Sequence, residues 1–246
     1  MENNNFIFGR NVVKEAILSK REIEYILIAK GKKLGSINSI IKLARDNKIL
    51  IKEVDQKKLD TISNNSQHQG IAALVSIYKY YKIDDILNTA KDKNEDPFLV
   101  IADGIEDPHN LGAIIRTAEC SGAHGVIIPK RNSSTITAVV EKSSAGALEH
   151  IKVAKVTNIS STIDYLKEKG LWIYCADMDG SPFFKGNLSG PIALVVGSEG
   201  FGISKLVKQK CDFTISIPLK GKVNSLNASV AAGILMYKIL ENRSSK

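Results

Sequence analysis

With 246 residues, 43% hydrophobic and 24% charged, the chain has the composition of an ordinary globular protein and room for two domains or one large one. No apolar run approaches the roughly 20 residues that span a bilayer, and the polar start Met1-Glu2-Asn3-Asn4-Asn5 has no secretory-signal character, so a cytoplasmic protein is expected. The net charge of +8 is uneven: residues 1–80 carry 14 Lys and Arg against 8 Asp and Glu, the footprint of a surface that meets a phosphate backbone or, more plainly, of a solvated lysine-rich face.

Residues 6–77 read as a small α/β unit. Val12, Val13, Ala16 and Ile17 put a short helix over Asn11–Leu18, and Ile23–Ala29 is a strand. Ser36 is the expected N-cap of a helix through Arg45, on the apolar stripe Ile37, Ile40, Ile41 and Ala44. A strand over Ile49–Lys52, a helix over Asp55–Ile62 and a strand over Gly70–Ile77 follow, with a polar turn from Ser66 through Gly70. The domain is given residues 1–78. Residues 79–96 are polar, charged and closed by Pro97, the composition of a connector, with a short helix around Asp84–Ala90. From residue 97 onward strands alternate with helices. The strands are Phe98–Asp103, Gly125–Ile128, Ile151–Val156, Leu171–Ala176, Ile192–Val196 and Phe213–Ile217, a pattern that predicts a mainly parallel sheet covered on both faces.

Chemistry concentrates between Ala193 and Tyr237. One buried strand runs into Gly197-Ser198-Glu199-Gly200-Phe201-Gly202; a second, stopped by Pro218, runs into a polar loop and a long apolar helix starting near Ser225. If the two strands are neighbours, their loops form one crevice at the carboxyl edge of the sheet, where α/β proteins bind small molecules. Gly197 and Gly202 have phosphate-loop spacing, but Ile203 stands where that loop needs lysine, and the order of the glycines is not that of a dinucleotide fingerprint. A cofactor with little negative charge is expected. Cys120, Cys175 and Cys211 are isolated in sequence and the four histidines scattered, so chemistry without a metal is expected.

Gly197-Ser198-Glu199-Gly200, Ile217-Pro218-Leu219 and Asn224-Ser225-Leu226-Asn227-Ala228-Ser229 resemble the second and third motifs of the SpoU-type RNA ribose 2'-O-methyltransferases of the SPOUT superfamily. Asn110-Leu111-Gly112-Ala113-Ile114-Ile115-Arg116-Thr117-Ala118 is similar to the first; Ala228 departs from the more frequent valine. The resemblance implies a trefoil knot in the carboxyl-terminal sheet and S-adenosylmethionine held by Gly197, Ile217, Leu219 and Leu226. It also implies active-site roles for Arg116, Asn110, Glu199, Ser225 and Asn227. Plainer readings stand beside these: Ser225 caps the last helix and Asn227 bonds a neighbouring carbonyl. Arg116 lies four residues after Gly112 on one helix face, where the missing side chain is expected to leave room for substrate; its fork of donors suits an RNA phosphate, the resemblance implies that it takes the hydroxyl proton, and the plainer reading is a surface ion-pair arginine.

Gly9-Arg10-Asn11, Glu15-Ala16 and His68-Gln69-Gly70 resemble the ribosomal-protein-like RNA-binding module of one branch of that family, which implies a guanosine of 23S ribosomal RNA as substrate, with transfer RNA as the alternative. His68 is more simply a surface-turn residue with no catalytic duty. A catalytically silent RNA-binding assembly factor is the reading from a different class. The last helix, Leu226–Leu240, is apolar nearly all round and is expected in a core or in a homodimer interface, as the resemblance implies.

Overall fold

The computed structural model describes residues 5–31, 35–64 and 67–244. Met1–Asn4 of the polar start and Ser66 of the polar turn lie outside the described residues. The chain divides into two compact units, Met1–Lys79 and Tyr80–Lys246.

The first unit runs β1 (Phe6–Phe8), α1 (Arg10–Leu18), β2 (Ile23–Ala29), α2 (Gly35–Asp46), β3 (Ile51–Val54), α3 (Gln56–Ile62) and β4 (Ile71–Val75). Its sheet has the order β1-β4-β2-β3, with β2 and β3 parallel and the other pairs antiparallel. Burial on both faces explains the apolar run Ile26–Ala29 in β2. Ile26 and Ile28 turn to Val13, Ile17, Ile37 and Ile40 of α1 and α2, while Leu27 turns to Leu59 of α3. Ser36 is not the N-cap expected of it. The helix already includes Gly35, and the Ser36 hydroxyl instead accepts a hydrogen bond from Arg10 Nη1 at 2.9 Å.

Arg10 joins the two sequence fragments that set this unit apart. Its backbone N–H donates to Gln69 Oε1 at 3.0 Å and its Nε to the Gln69 carbonyl at 3.2 Å. His68 is buried rather than on a surface turn: Nδ1 accepts from the Gly70 N–H at 3.0 Å, and Nε2 lies 2.8 Å from Asp60 Oδ1 of α3. These residues hold the turn before β4 in place.

The second unit runs α4 (Ile83–Asp92), β5 (Phe98–Asp103), α5 (Pro108–Cys120), β6 (Gly125–Pro129), α6 (Ala138–Ser144), β7 (Lys152–Val156), α7 (Ile159–Glu168), β8 (Trp172–Pro182), β9 (Ile192–Gly197), α8 (Lys205–Lys210), β10 (Phe213–Ser216) and α9 (Ala228–Ser244). Six parallel strands lie in the order β10-β8-β9-β5-β6-β7. β5 and β9, at the centre, are buried on both faces, hence their unbroken Val, Ile, Leu and Ala runs. Within the stretch read as a connector, α4 belongs to this unit: Ile86 is fully buried in its core, and Lys152 Nζ donates to the Asp85 carbonyl and to Thr89 Oγ1.

β8 extends six residues past the expected end at Ala176. Its ladder with β10 pairs Cys175 with Thr214 and then Ser181 with Ile215, so residues 176–180 have no partner and leave the line of the strand. The isolation of the cysteines in sequence does not persist in space. The Cys175 sulfur lies 3.4 Å from Thr214 Oγ1 and Cys211 donates to the Val207 carbonyl at 3.2 Å; the nearby Cys211, with Thr214, holds the Cys175 thiol down at about 7 against the effect of burial.

Candidate active site

A cavity of about 330 Å³ opens at the carboxyl ends of β8, β9 and β10. Ile192–Val196 feeds the Gly197–Gly202 turn, and Phe213–Ser216 feeds the loop to α9, as the two apolar runs dictate. The two strands are not neighbours, because β8 lies between them. The crevice forms all the same, since residues 176–180 of β8 step out of the ladder and Ala176, Asp177 and Met178 become its third wall. Sequence reasoning missed these three; the aspartate-rich Asp177-Met178-Asp179-Gly180 interrupting an apolar strand was the available signal. Burial raises the pKa of the Asp177 carboxyl, but its ion pair with Lys208 at 3.0 Å and the N–H groups of Asp179 and Met178 outweigh that and hold it below the usual range.

Gly197, Glu199, Ile217, Leu219, Ser225 and Leu226 all line this cavity; Asn110, Arg116 and Asn227 do not. Two of those three are nonetheless tied to it through Glu199. Asn110 Nδ2 donates to Glu199 Oε1 at 3.1 Å, Asn227 Nδ2 donates to the same oxygen and to Asn110 Oδ1 at 3.0 Å, and the Ala228 N–H reaches Glu199 Oε1 at 3.3 Å. One carboxylate oxygen thus collects donors from α5 and from the start of α9. Negative charge at a helix N-terminus is favourable, which gives Glu199 a physical reason to be acidic. Asn227 rather than Ser225 caps α9, its Oδ1 accepting from the Ser229 and Val230 N–H groups at 3.0 and 3.3 Å.

The turn carrying Glu199 requires glycine at its base. A Cβ on Gly197 would lie 2.2 Å from the Gly202 carbonyl carbon and 2.4 Å from its oxygen, both backbone atoms that cannot move without opening the turn. Gly112 has a different role from the one expected. The space its side chain would occupy holds Ser143 of α6, whose Oγ would lie 2.0 Å from a Cβ there, so this glycine allows α5 and α6 to pack and leaves no room for substrate. Arg116, further along α5, is exposed. Among the described residues no group of three or more His, Cys, Asp or Glu side chains is placed to hold a metal ion, and no helix is long and apolar enough to cross a membrane.

Comparison with known proteins places this geometry. The profile described as the SpoU rRNA Methylase family matches residues 97–237, and the one described as RNA 2'-O ribose methyltransferase substrate binding matches residues 6–81. A Bacillus subtilis protein, YacO, assigned to the TrmH family of tRNA/rRNA methyltransferases, is 46% identical over 244 residues, 98% of this chain and 97% of its own. A Staphylococcus haemolyticus protein assigned to the same family is 48% identical, covering 96% of this chain and 95% of its own. Among solved structures, the SpoU methyltransferase AviRb of Streptomyces viridochromogenes, in complex with AdoMet, superposes with a TM-score of 0.62 at 22% identity, covering 98% of this chain and 91% of that one. The TrmH/SpoU tRNA modifying enzyme of A. aeolicus gives 0.56 at 25% identity, covering 66% and 84%.

Proposed function

The chain belongs to the SpoU rRNA methylase family, and from that premise we propose that it transfers a methyl group from S-adenosylmethionine to a ribose 2'-hydroxyl of RNA. The observation that carries the reading is the charge of the cavity. No Lys or Arg lines it, and its ionisable side chains, Asp177 and Glu199, are both acidic. A phosphate-bearing nucleotide would be repelled there, whereas a cationic sulfonium with a free amine would be favoured. Ile215, Ile217, Leu219 and Leu226 supply an apolar wall for a flat adenine.

When bound, S-adenosylmethionine supplies an electrophilic methyl carbon and a neutral thioether leaving group. The chain has to align the acceptor oxygen and accommodate the proton that leaves it. Glu199, Asn110 and Asn227 act as a unit that fixes the Gly197–Gly202 turn against α5 and the start of α9. Arg116, whose fork of donors suits an RNA phosphate, holds the acceptor strand or takes part in removing the hydroxyl proton. Ser225, on the cavity wall, orients the ribose.

The first unit, with the basic excess of residues 1–80, serves as the RNA-recognition domain, and the second performs transfer. A guanosine of 23S ribosomal RNA is the substrate that the first unit's ribosomal-protein-like motifs favour; a transfer-RNA ribose is the second reading, in keeping with the tRNA/rRNA naming of the relatives. A homodimer through α9 completes the proposal. Val230, Ile234 and Tyr237 recur at helical spacing on that helix, all are exposed in the single chain, and a second copy would cover them.

Calorimetry with S-adenosylmethionine separates an enzyme from a silent RNA-binding factor. The full chain is expected to bind one equivalent, and Gly197→Ala to lose binding by at least about tenfold because its turn cannot close; a loss of about 1.4 kcal/mol gives that factor. Absence of binding by the unmodified chain overturns the proposal.

A further inference from the structure

The turn after β9 ends in an aromatic ring with nothing against it. Phe201 is 98% exposed, yet it borders the same cavity as Glu199 and Leu226. Its placement is built into the backbone. The Ser198 N–H donates to the Gly202 carbonyl at 3.1 Å and the Gly202 N–H to the Ser198 carbonyl at 2.9 Å, closing a tight loop with Phe201 between two glycines. The Phe201 N–H is itself held by Ser198 Oγ at 3.4 Å, and Gly202 takes the positive φ of 63° that the return of the chain requires. Gly197 packed on Gly202 leaves this loop little freedom. A large apolar side chain fixed in water gives up the gain it would make in a core, and a partner arriving at the cavity mouth recovers it.

The surroundings indicate the partner's chemistry. Lys205, at the start of α8, and Lys220 and Lys222, beside the cavity residue Leu219, are exposed and form no ion pair among the described residues. An exposed aromatic ring on a loop whose neighbouring segments carry free cations has the chemistry by which single-stranded nucleic acid is held: bases stack on the ring while phosphates meet the lysines. An acidic or apolar protein surface would use one of these features and not both.

We propose that Phe201 is a stacking platform for one base of the acceptor RNA strand, holding that strand at the cavity mouth while the ribose enters. Stacking is indifferent to base identity, because every base has a π-face. Phe201 therefore sets the position of the strand, and sequence preference must arise elsewhere. The inference rests on the methyl-transfer reading above.

The test uses the full chain, labelled S-adenosylmethionine and total RNA from cells lacking the gene, with Phe201 replaced by Ala, Leu, Tyr or Trp. Because the ring is solvent-exposed, none of these changes should disturb folding. Phe201→Ala is expected to lower kcat/KM for RNA by about 5- to 150-fold, the span of base–aromatic stacking, chiefly through KM, with S-adenosylmethionine affinity and light-scattering mass unchanged. Tyr and Trp should retain activity and Leu should not. Full activity in Phe201→Ala overturns the inference. So does an equal loss of S-adenosylmethionine affinity, which would put the ring over the methyl donor, or a fall in mass, which would put it against a second copy. Leu acting as well as Tyr would reduce the contact to simple apolar burial and also overturn it. An unmodified chain that binds S-adenosylmethionine but methylates no RNA would remove the methyl-transfer reading itself, and this inference with it.

Discussion

Arg116→Ala is expected to lower RNA methyl transfer by at least about 10²-fold, the scale on which loss of one positioned transition-state partner acts, while leaving S-adenosylmethionine affinity and Tm where they were. The asymmetry follows from its placement. Arg116 is exposed on α5 and does not line the cavity, so donor binding has no contact to lose and the fold no packing. Arg116→Lys separates its two possible duties. Lysine keeps the charge but not the planar fork, so a phosphate clamp shows as a raised KM for RNA, whereas a part in proton removal shows as a lower kcat with an altered pH profile. Steady-state kinetics over a range of pH makes the distinction. Turnover at the unmodified rate in Arg116→Ala would take this residue out of the mechanism.

The second large effect is expected at Glu199, and here stability and donor binding should fall together. Glu199→Ala leaves Asn110 Nδ2, Asn227 Nδ2 and the Ala228 N–H without the oxygen they share. Asn110 is buried, and a buried donor left unpaired costs about 1–3 kcal/mol. At about 2–4 °C per kcal/mol for a chain of this size, the melting temperature should drop by several degrees. The Gly197–Gly202 turn also loses its tie to α9, so S-adenosylmethionine affinity should fall as well. Glu199→Gln keeps an acceptor oxygen and should lie between the two. Differential scanning calorimetry and titration on the same preparations test this; wild-type Tm and affinity in Glu199→Ala would show that the network carries no load.

Period and punctuation made much of this molecule readable before its coordinates. Phe98–Asp103 is fully apolar up to its terminal aspartate because its strand is buried on both faces, and Ile23–Ala29 has the bounds its apolar run gives. What escaped has physical causes. β1 is three residues long and gets its register from β4, a partner 66 positions away, so no local pattern marks it. α9 begins at Ala228 because Asn227, held by Glu199 and Asn110, supplies the cap; the apolar pattern that starts at Leu226 cannot reveal a contact from β9 and α5. Gly112 was read as open space, but what fills it is Ser143, on a helix 31 positions away that the sequence reading did not resolve. Likewise the condition set for a shared crevice, that the two loop-bearing strands be neighbours, is not met, because β8 pairs with both β9 and β10, a long-range choice made by the sheet as a whole. The candidate site was legible as two loops with their residues, whereas its third wall, Ala176–Met178, needed the unpaired segment of β8 to be seen in place.

The measurement that bears most directly on the account is the chemical identity of the modified nucleoside. RNA from cells lacking the gene would be incubated with the purified chain and S-adenosylmethionine, digested to nucleosides and read by mass spectrometry. A 2'-O-methylated nucleoside, formed by the unmodified chain and lost in Arg116→Ala, is the predicted result. A methyl group on a base, or a ribose methyl that persists undiminished in Arg116→Ala, would contradict it.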